Sequence, residues 1–219
     1  MTEHTTLKVA VLISGEGTNL QTLIDTARQQ SAEFAICAVV SDREVARGLT
    51  RARAAGVTAM FVDPRAHPNR VSFDRALAAA VGQCNPDLIV LAGFMRILSA
   101  EFVAKFSGRM LNIHPSLLPK FKGLHTHRRA LAAREAEHGA TVHFVTADLD
   151  SGPAVIQYRL KVRDDDSEAS LSARVHHGEY IILPKAVAWF AAGRLKLEGN
   201  MAMLDGKHLK EPVCIDGAP

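Results

Sequence analysis

"KVAVLISGEGTN", residues 8–19, decides the fold. After Lys8 the run to Ile13 is apolar without alternation, the pattern of a strand buried on both faces. "SGEGTN" (14–19) then supplies two glycines and leads into a helical pattern from about Asn19. A buried strand, a glycine turn and a helix form the opening of a βαβ unit. The same alternation continues outward. Strands are expected at 34–40 ("FAICAVV"), 58–62 ("TAMFV"), 87–93 ("DLIVLAG") and 110–114 ("MLNIH"), with helices over 44–56 and 72–83 between them. Such a series predicts a doubly wound α/β fold with a mainly parallel sheet.

Past residue 115 the pattern changes. "ATVHFVT" (140–146) and "AVIQYRLKV" (154–162) read as strands joined by the turn-forming "ADLDSGP". A long helical period follows over 167–193, with a bend expected at Pro184. Short strands with a D-G hairpin turn occupy 193–210. We therefore expect one domain over 1–219, with halves at 1–115 and 116–209, the second holding a smaller mixed sub-region. Residues 210–219 read as a poorly ordered tail.

Composition narrows the function classes. The chain has 219 residues, is 47% hydrophobic and carries a formal charge of +3, a weak basic bias unlike the clustered footprint of a nucleic-acid binder. No apolar stretch reaches the roughly 18 residues of a membrane span, and the N-terminus lacks a secretory pattern. Cys37, Cys84 and Cys214 are scattered and odd in number, which predicts unpaired thiols and a reducing cytoplasm.

In open α/β sheets ligands bind beyond the carboxyl ends of the strands, and three such ends carry unusual residues. The first is "SGEGTN", whose glycines and helix N-terminus suit a phosphate. Leu20 stands where a dinucleotide fingerprint needs its third glycine, although Asp42 after the second strand is placed to hold a ribose hydroxyl. The second is "LNIHP" (111–115): side chains two apart share a strand face, so Asn112 and His114 project together, and Pro115 ends the strand. An imidazole offers a proton near neutral pH and an amide donates to a developing oxyanion. The third is "TADLDSGP" (146–153), where Asp148 or Asp150 supplies a carboxylate that favours the charged imidazole. No nucleophile elbow flanks the histidine, and the other histidines lack a metal-site context.

Together, "LISGEGTNLQTLID", "VLAGFMRILS", "LNIHPSLLPKFKGLHTHRRAL", "HGATVHFVTADLDSGP" and the "EYIILP" region resemble the phosphoribosylglycinamide formyltransferases. The similarity runs from about Lys8 to Leu209 in the family's order and spacing. It implies a Rossmann-like formyltransferase fold and transfer of formyl from 10-formyltetrahydrofolate to glycinamide ribonucleotide in purine biosynthesis, with no metal. It also implies site roles. Asn112, His114 and Asp150 would be catalytic, which selects Asp150 over Asp148. Gly17, Thr18 and Asn19, with His176 and Glu179, would hold the ribonucleotide. Arg70, Met95, Arg96, Ile97, Leu98 and Asn112, with Thr146, Ala147, Asp148, Leu149 and Asp150, would hold the folate.

Three positions depart from the family pattern. Glu16 stands where a small or amide residue is common, Lys122 where proline is frequent, and Ser151 where glycine is usual. Two related activities have different expected layouts. Formyltetrahydrofolate hydrolases share the triad but usually carry an extra N-terminal regulatory domain, and methionyl-tRNA formyltransferases a C-terminal nucleic-acid-binding one. The partners expected are thus the ribonucleotide and a reduced folate, with no nucleic acid or membrane, for a cytoplasmic monomer or weak homodimer.

Overall fold

The computed structural model describes residues 6–217. The chain divides into two compact units between Leu111 and Asn112. That division falls inside a strand, four residues before the expected boundary at 115, and it leaves Asn112 and His114 in the second unit.

The first unit alternates strands and helices as its periodicity predicts: β1 Leu7–Ile13, α1 Thr18–Ala27, β2 Phe34–Ser41, α2 Arg47–Ala54, β3 Thr58–Phe61, α3 Arg70–Gly82, β4 Leu88–Leu91 and α4 Ala100–Lys105. Its strand order is β4-β1-β2-β3, and every pair is parallel. Val9 through Ile13 are fully buried. At roughly 1.5–3 kcal/mol for each large apolar side chain removed from water, this strand is a principal anchor of the unit. β1 stops where Ser14 and Gly15 interrupt the apolar run, so the phosphate-suited loop emerges at its carboxyl end.

β5, Met110–His114, leads into the second unit, which continues with α5 Thr126–Ala132, β6 Glu137–Phe144, β7 Ala154–Lys161, α6 Glu168–Ala191, β8 Leu195–Glu198, β9 Met201–Leu204, β10 Lys207–His208 and β11 Val213–Asp216. Here the order is β11-β7-β6-β5, while β8, β9 and β10 form a separate sheet. β6 and β7 are antiparallel, as their turn-forming link predicts. The small sheet is antiparallel and turns at Asp205 and Gly206, both at positive φ, as the D-G signal requires. α6 starts on a reciprocal cap between Ser167 and Ser170 and remains helical on both sides of Pro184.

Two expectations fail. The tail expected over 210–219 is not loose in its described part, 210–217, because Val213–Asp216 pairs in parallel with β7, and Arg159 Nε donates to Asp216 at 2.8 Å; residues 218–219 lie outside the described residues. The segment is short and follows a Glu-Pro break, so its apolar alternation is too brief to signal a strand alone. Cys37 and Cys84, expected as separate thiols, are brought together as a close pair, with Cα atoms 5.9 Å apart. The fold brings β2 against the turn after α3, a proximity that sequence spacing does not contain. Among the described residues no helix is long and apolar enough to cross a membrane.

Candidate active site

β5 does what its alternation promises. Leu111 and Ile113 are buried on one face, and Asn112 and His114 project from the other. Pro115 cannot continue the ladder, and Ser116 N turns back to donate to the His114 carbonyl at 2.9 Å. His114 is 6% exposed. Its Nε2 lies 3.0 Å from the Phe121 carbonyl, and its Nδ1 lies 3.4 Å from Asp150 Oδ2. A carbonyl can only accept, so Nε2 carries a hydrogen; only the imidazolium can donate to both oxygens at once.

Asp150 is held in place from its own side. It sits at φ 47°, where the 146–150 loop reverses, and Gly123 N donates to its Oδ2 at 2.9 Å. Asp148 is exposed two residues earlier, with its carbonyl accepting from Ser151 N and the Thr146 hydroxyl. The two acids that spacing leaves equivalent are thereby separated: Asp150 faces the imidazole and Asp148 shapes the loop. Lys122 and Ser151, both departures from the family pattern, meet each other, with Lys122 Nζ donating to Ser151 Oγ at 2.7 Å.

A fourth side chain joins the group. His143, on β6, is 2% exposed, and its Nε2 lies 3.0 Å from Asn112 Nδ2 and 3.8 Å from Asp150 Oδ1. Its Nδ1 donates to the Phe144 carbonyl at 2.8 Å. Burial pushes the His143 ring down to about 4, so near neutral pH its Nε2 is a lone-pair acceptor. That acceptor orients the Asn112 amide and leaves the second Nδ2 hydrogen for a ligand. Sequence spacing offers His143 only as one of the scattered histidines without a metal-site context; its place two residues after Thr141, on the face next to Asn112, becomes visible only once β6 is set beside β5.

The same burial logic governs a second pair. His127 Nδ1 and His138 Nε2 are 3.1 Å apart, and desolvation pushes His138 down to about 4 and His127 below its usual value. Between about pH 6.5 and 4 the unfolded chain binds protons on His138 and His143 that the folded chain refuses, so stability falls as pH falls through that window. Melting curves should lose several degrees between pH 7 and 5, at roughly 2–4 °C per kcal/mol for a chain of this size. A His138→Gln variant should lose distinctly less over the same interval. An equal loss in both proteins would refute the assignment.

In the first unit, Gly17 caps α1 at φ 70°, and Thr18 and Asn19 open the helix. Gln21 N donates to the Gly17 carbonyl at 2.9 Å, so the helical ladder begins there and the turn before it is the positive end of the helix, which favours an anion. Met95, Arg96, Ile97 and Leu98 follow β4. Met95 and Ile97 are more than half exposed while Leu98 is buried. Arg96 lies over the Phe73 ring on α3, 4.9 Å from its centroid, and α3 begins at Arg70.

Asp42 has a structural role here in place of the ribose contact it was considered for. The Ser14 hydroxyl donates to it at 2.6 Å, and Arg96 lies 3.7 Å away. Met95 N donates in turn to Ser14 Oγ at 2.8 Å. The carboxylate thus ties 95–98 to the end of β1. His176 and Glu179 share a face of α6, 4.0 Å apart, and Glu179 is buried.

A buried imidazole between a carboxylate and a carbonyl, beside an oriented amide and without an elbow nucleophile, defines a proton-managing group-transfer site on a mainly parallel α/β scaffold. The formyl transferase family model matches residues 7–187. Phosphoribosylglycinamide formyltransferase of Escherichia coli (strain K12) is 48% identical over 203 residues, covering 93% of this chain and 96% of the relative. The enzyme of the same name from Haemophilus influenzae is 44% identical, covering 92% and 95%. The solved phosphoribosylglycinamide formyltransferase of Coxiella burnetii superposes with a TM-score of 0.91 at 49% identity, covering 96% of this chain and 99% of that one. The chain belongs to the formyl transferase family, on its phosphoribosylglycinamide formyltransferase branch.

Proposed function

We propose that the protein transfers the formyl group of 10-formyltetrahydrofolate to the amine of glycinamide ribonucleotide in purine biosynthesis, using Asn112, His114 and Asp150. The observation that carries this reading is the His114 ring held between Asp150 Oδ2 and the Phe121 carbonyl, beside an Asn112 amide oriented by His143. Nε2 is anchored, so the Nδ1 edge shared with Asp150 is the reacting edge. The substrate amine attacks the formyl carbon. Asn112 Nδ2–H donates to the oxygen that becomes negative, and the His114 Nδ1–H, held only at 3.4 Å by Asp150, is shared with that oxygen as the charge develops. Asp150 balances the imidazolium charge and passes the amine proton to the folate nitrogen as the carbon–nitrogen bond to folate breaks. Amine, formyl carbon and departing nitrogen then balance with no net proton gained or lost. No metal step is invoked.

Binding roles follow from exposure and charge. Gly17, Thr18 and Asn19 receive the phosphate at the α1 N-terminus, and Glu179 with His176 faces the amine or ribose side. The exposed Met95 and Ile97 side chains offer apolar surface to a pterin ring, Arg70, Arg96 and Leu98 complete that folate-binding set, and Thr146, Ala147, Asp148 and Leu149 form the loop that carries Asp150. The test is to incubate the protein with 10-formyltetrahydrofolate, with and without glycinamide ribonucleotide, and follow tetrahydrofolate release. Release that depends on the ribonucleotide supports the transferase. Release at the same rate without it would overturn this reading in favour of a formyltetrahydrofolate hydrolase.

A further inference from the structure

The phosphate-suited loop is held from behind by α2, all within the first unit. Gly48 N donates to the Gly15 carbonyl at 3.1 Å. Arg51 Nε donates to the Glu16 carbonyl at 2.8 Å, and its guanidinium also reaches Gln21 Oε1 at 3.3 Å. Arg47 pairs with the Glu16 carboxylate at 3.2 Å, so the acid that departs from the family pattern is answered by a cation of α2. The contact is close enough that a Cβ on Gly17 would lie 2.6 Å from Gly48 Cα.

These bonds act on two consecutive peptide planes. In a trans peptide the carbonyl and the N–H point in opposite directions. With the Gly15 and Glu16 carbonyls both drawn towards α2, the Glu16 and Gly17 N–H groups are turned to the other side, where they add to the positive end of the α1 dipole. Successive N–H groups turned one way around a left-handed residue make an anion-binding concavity, and Gly17 supplies the left-handed residue at φ 70°. Gly48 controls one plane through its backbone, which no side-chain substitution removes. The other plane depends on the Arg51 side chain.

We propose that Arg51 is a positioning residue for the phosphate loop: by holding the Glu16 carbonyl it sets the affinity for the phosphorylated substrate without touching it. The proposal rests on the reading of residues 17–19 as the phosphate site. Lysine at this position can reach one acceptor but lacks the planar fork that spans Glu16 and Gln21.

The experiment is steady-state kinetics of Arg51→Ala and Arg51→Lys with glycinamide ribonucleotide and with the corresponding nucleoside lacking the phosphate. Arg51→Ala should raise KM for the ribonucleotide about tenfold, equivalent to about 1.4 kcal/mol. Turnover at saturation, KM for the folate and kinetics on the nucleoside should stay within about twofold, and Arg51→Lys should fall between wild type and Ala. If Arg51→Ala does not fold, Arg51→Lys alone carries the test, with an intermediate rise in ribonucleotide KM expected. An unchanged ribonucleotide KM, or a parallel worsening for nucleoside and folate with a lowered melting temperature, overturns the proposal. Gly17→Ala separates the two readings. If it leaves the ribonucleotide KM unchanged, the phosphate site itself is wrong; if it raises that KM while Arg51→Ala does not, only the role of Arg51 falls.

Discussion

His114→Ala is expected to lower kcat by roughly 10³-fold, with KM for either substrate moving less than about threefold. Two losses combine. A preorganised donor to a developing oxyanion contributes about 10²–10³ in turnover, and a positioned general acid about 10²–10⁴. They are not additive here, because one ring supplies both. Neither acts fully on the ground state, since the formyl oxygen becomes anionic only as the amine adds, so the loss falls on kcat. The substitution also leaves the Phe121 carbonyl and the Asp150 carboxylate without their imidazole partner. Asp150 keeps its bond from Gly123 N and the loop keeps its Lys122–Ser151 contact, so the backbone around the vacancy is retained. Asp150→Asn keeps shape and the Gly123 bond but cannot balance the imidazolium, and it should cost kcat roughly 10²-fold on the same scale. Stopped-assay turnover at saturating substrates, with a melting curve to confirm folding, reads both. A His114→Ala enzyme within tenfold of wild type would remove His114 from the chemistry.

Legibility of the sequence tracks how local each signal is. β1, the turn at 14–19 and α1 are written in consecutive residues, so periodicity and two glycines suffice to place them. The shared face of Asn112 and His114 follows from strand alternation alone. Elements without a strong period escape: α4 and α5 are short, and β11 has few residues with which to alternate. Pairings across the chain escape for a different reason. Cys37 with Cys84, His143 with Asn112 and Arg51 with Glu16 are separated by 47, 31 and 35 positions, and their meeting depends on strand order rather than spacing. Asp42 illustrates the opposite hazard. Its position after β2 suits a ribose, yet the packed structure engages it with Ser14 and Arg96, a use that no local motif signals. The choice of Asp150 over Asp148 needed the family pattern; what the structure adds is that Asp150 stands 3.4 Å from the His114 ring while Asp148 is exposed.

Gly178→Ala is expected to destabilise the protein by about 3 kcal/mol, at the upper end of overpacking costs, and so to lower its melting temperature by roughly 6–12 °C. The residue lies on α6 between His176 and Glu179, where the helix crosses β7. A Cβ there would stand 1.9, 2.2 and 2.6 Å from Cδ1, Cγ and Cε1 of Tyr158. Flexible side-chain ends move away from such contacts cheaply, but this ring has little room to do so. Tyr158 is 6% exposed, its strand pairs with β6 on one side and β11 on the other, and Gly217 closes over its hydroxyl end. The alternative is for α6 to lift away from the sheet. That movement would carry His176 and the buried Glu179 outward, so the ribonucleotide KM should rise in the fraction that stays folded, while the folate KM, set by residues on other elements, should hold. The helix-favouring effect of alanine works in the other direction, but at about 1 kcal/mol it is the smaller term. Thermal melts and separate KM values for the two substrates decide it, and a melting temperature equal to or above wild type would show that Tyr158 yields where the packing says it cannot.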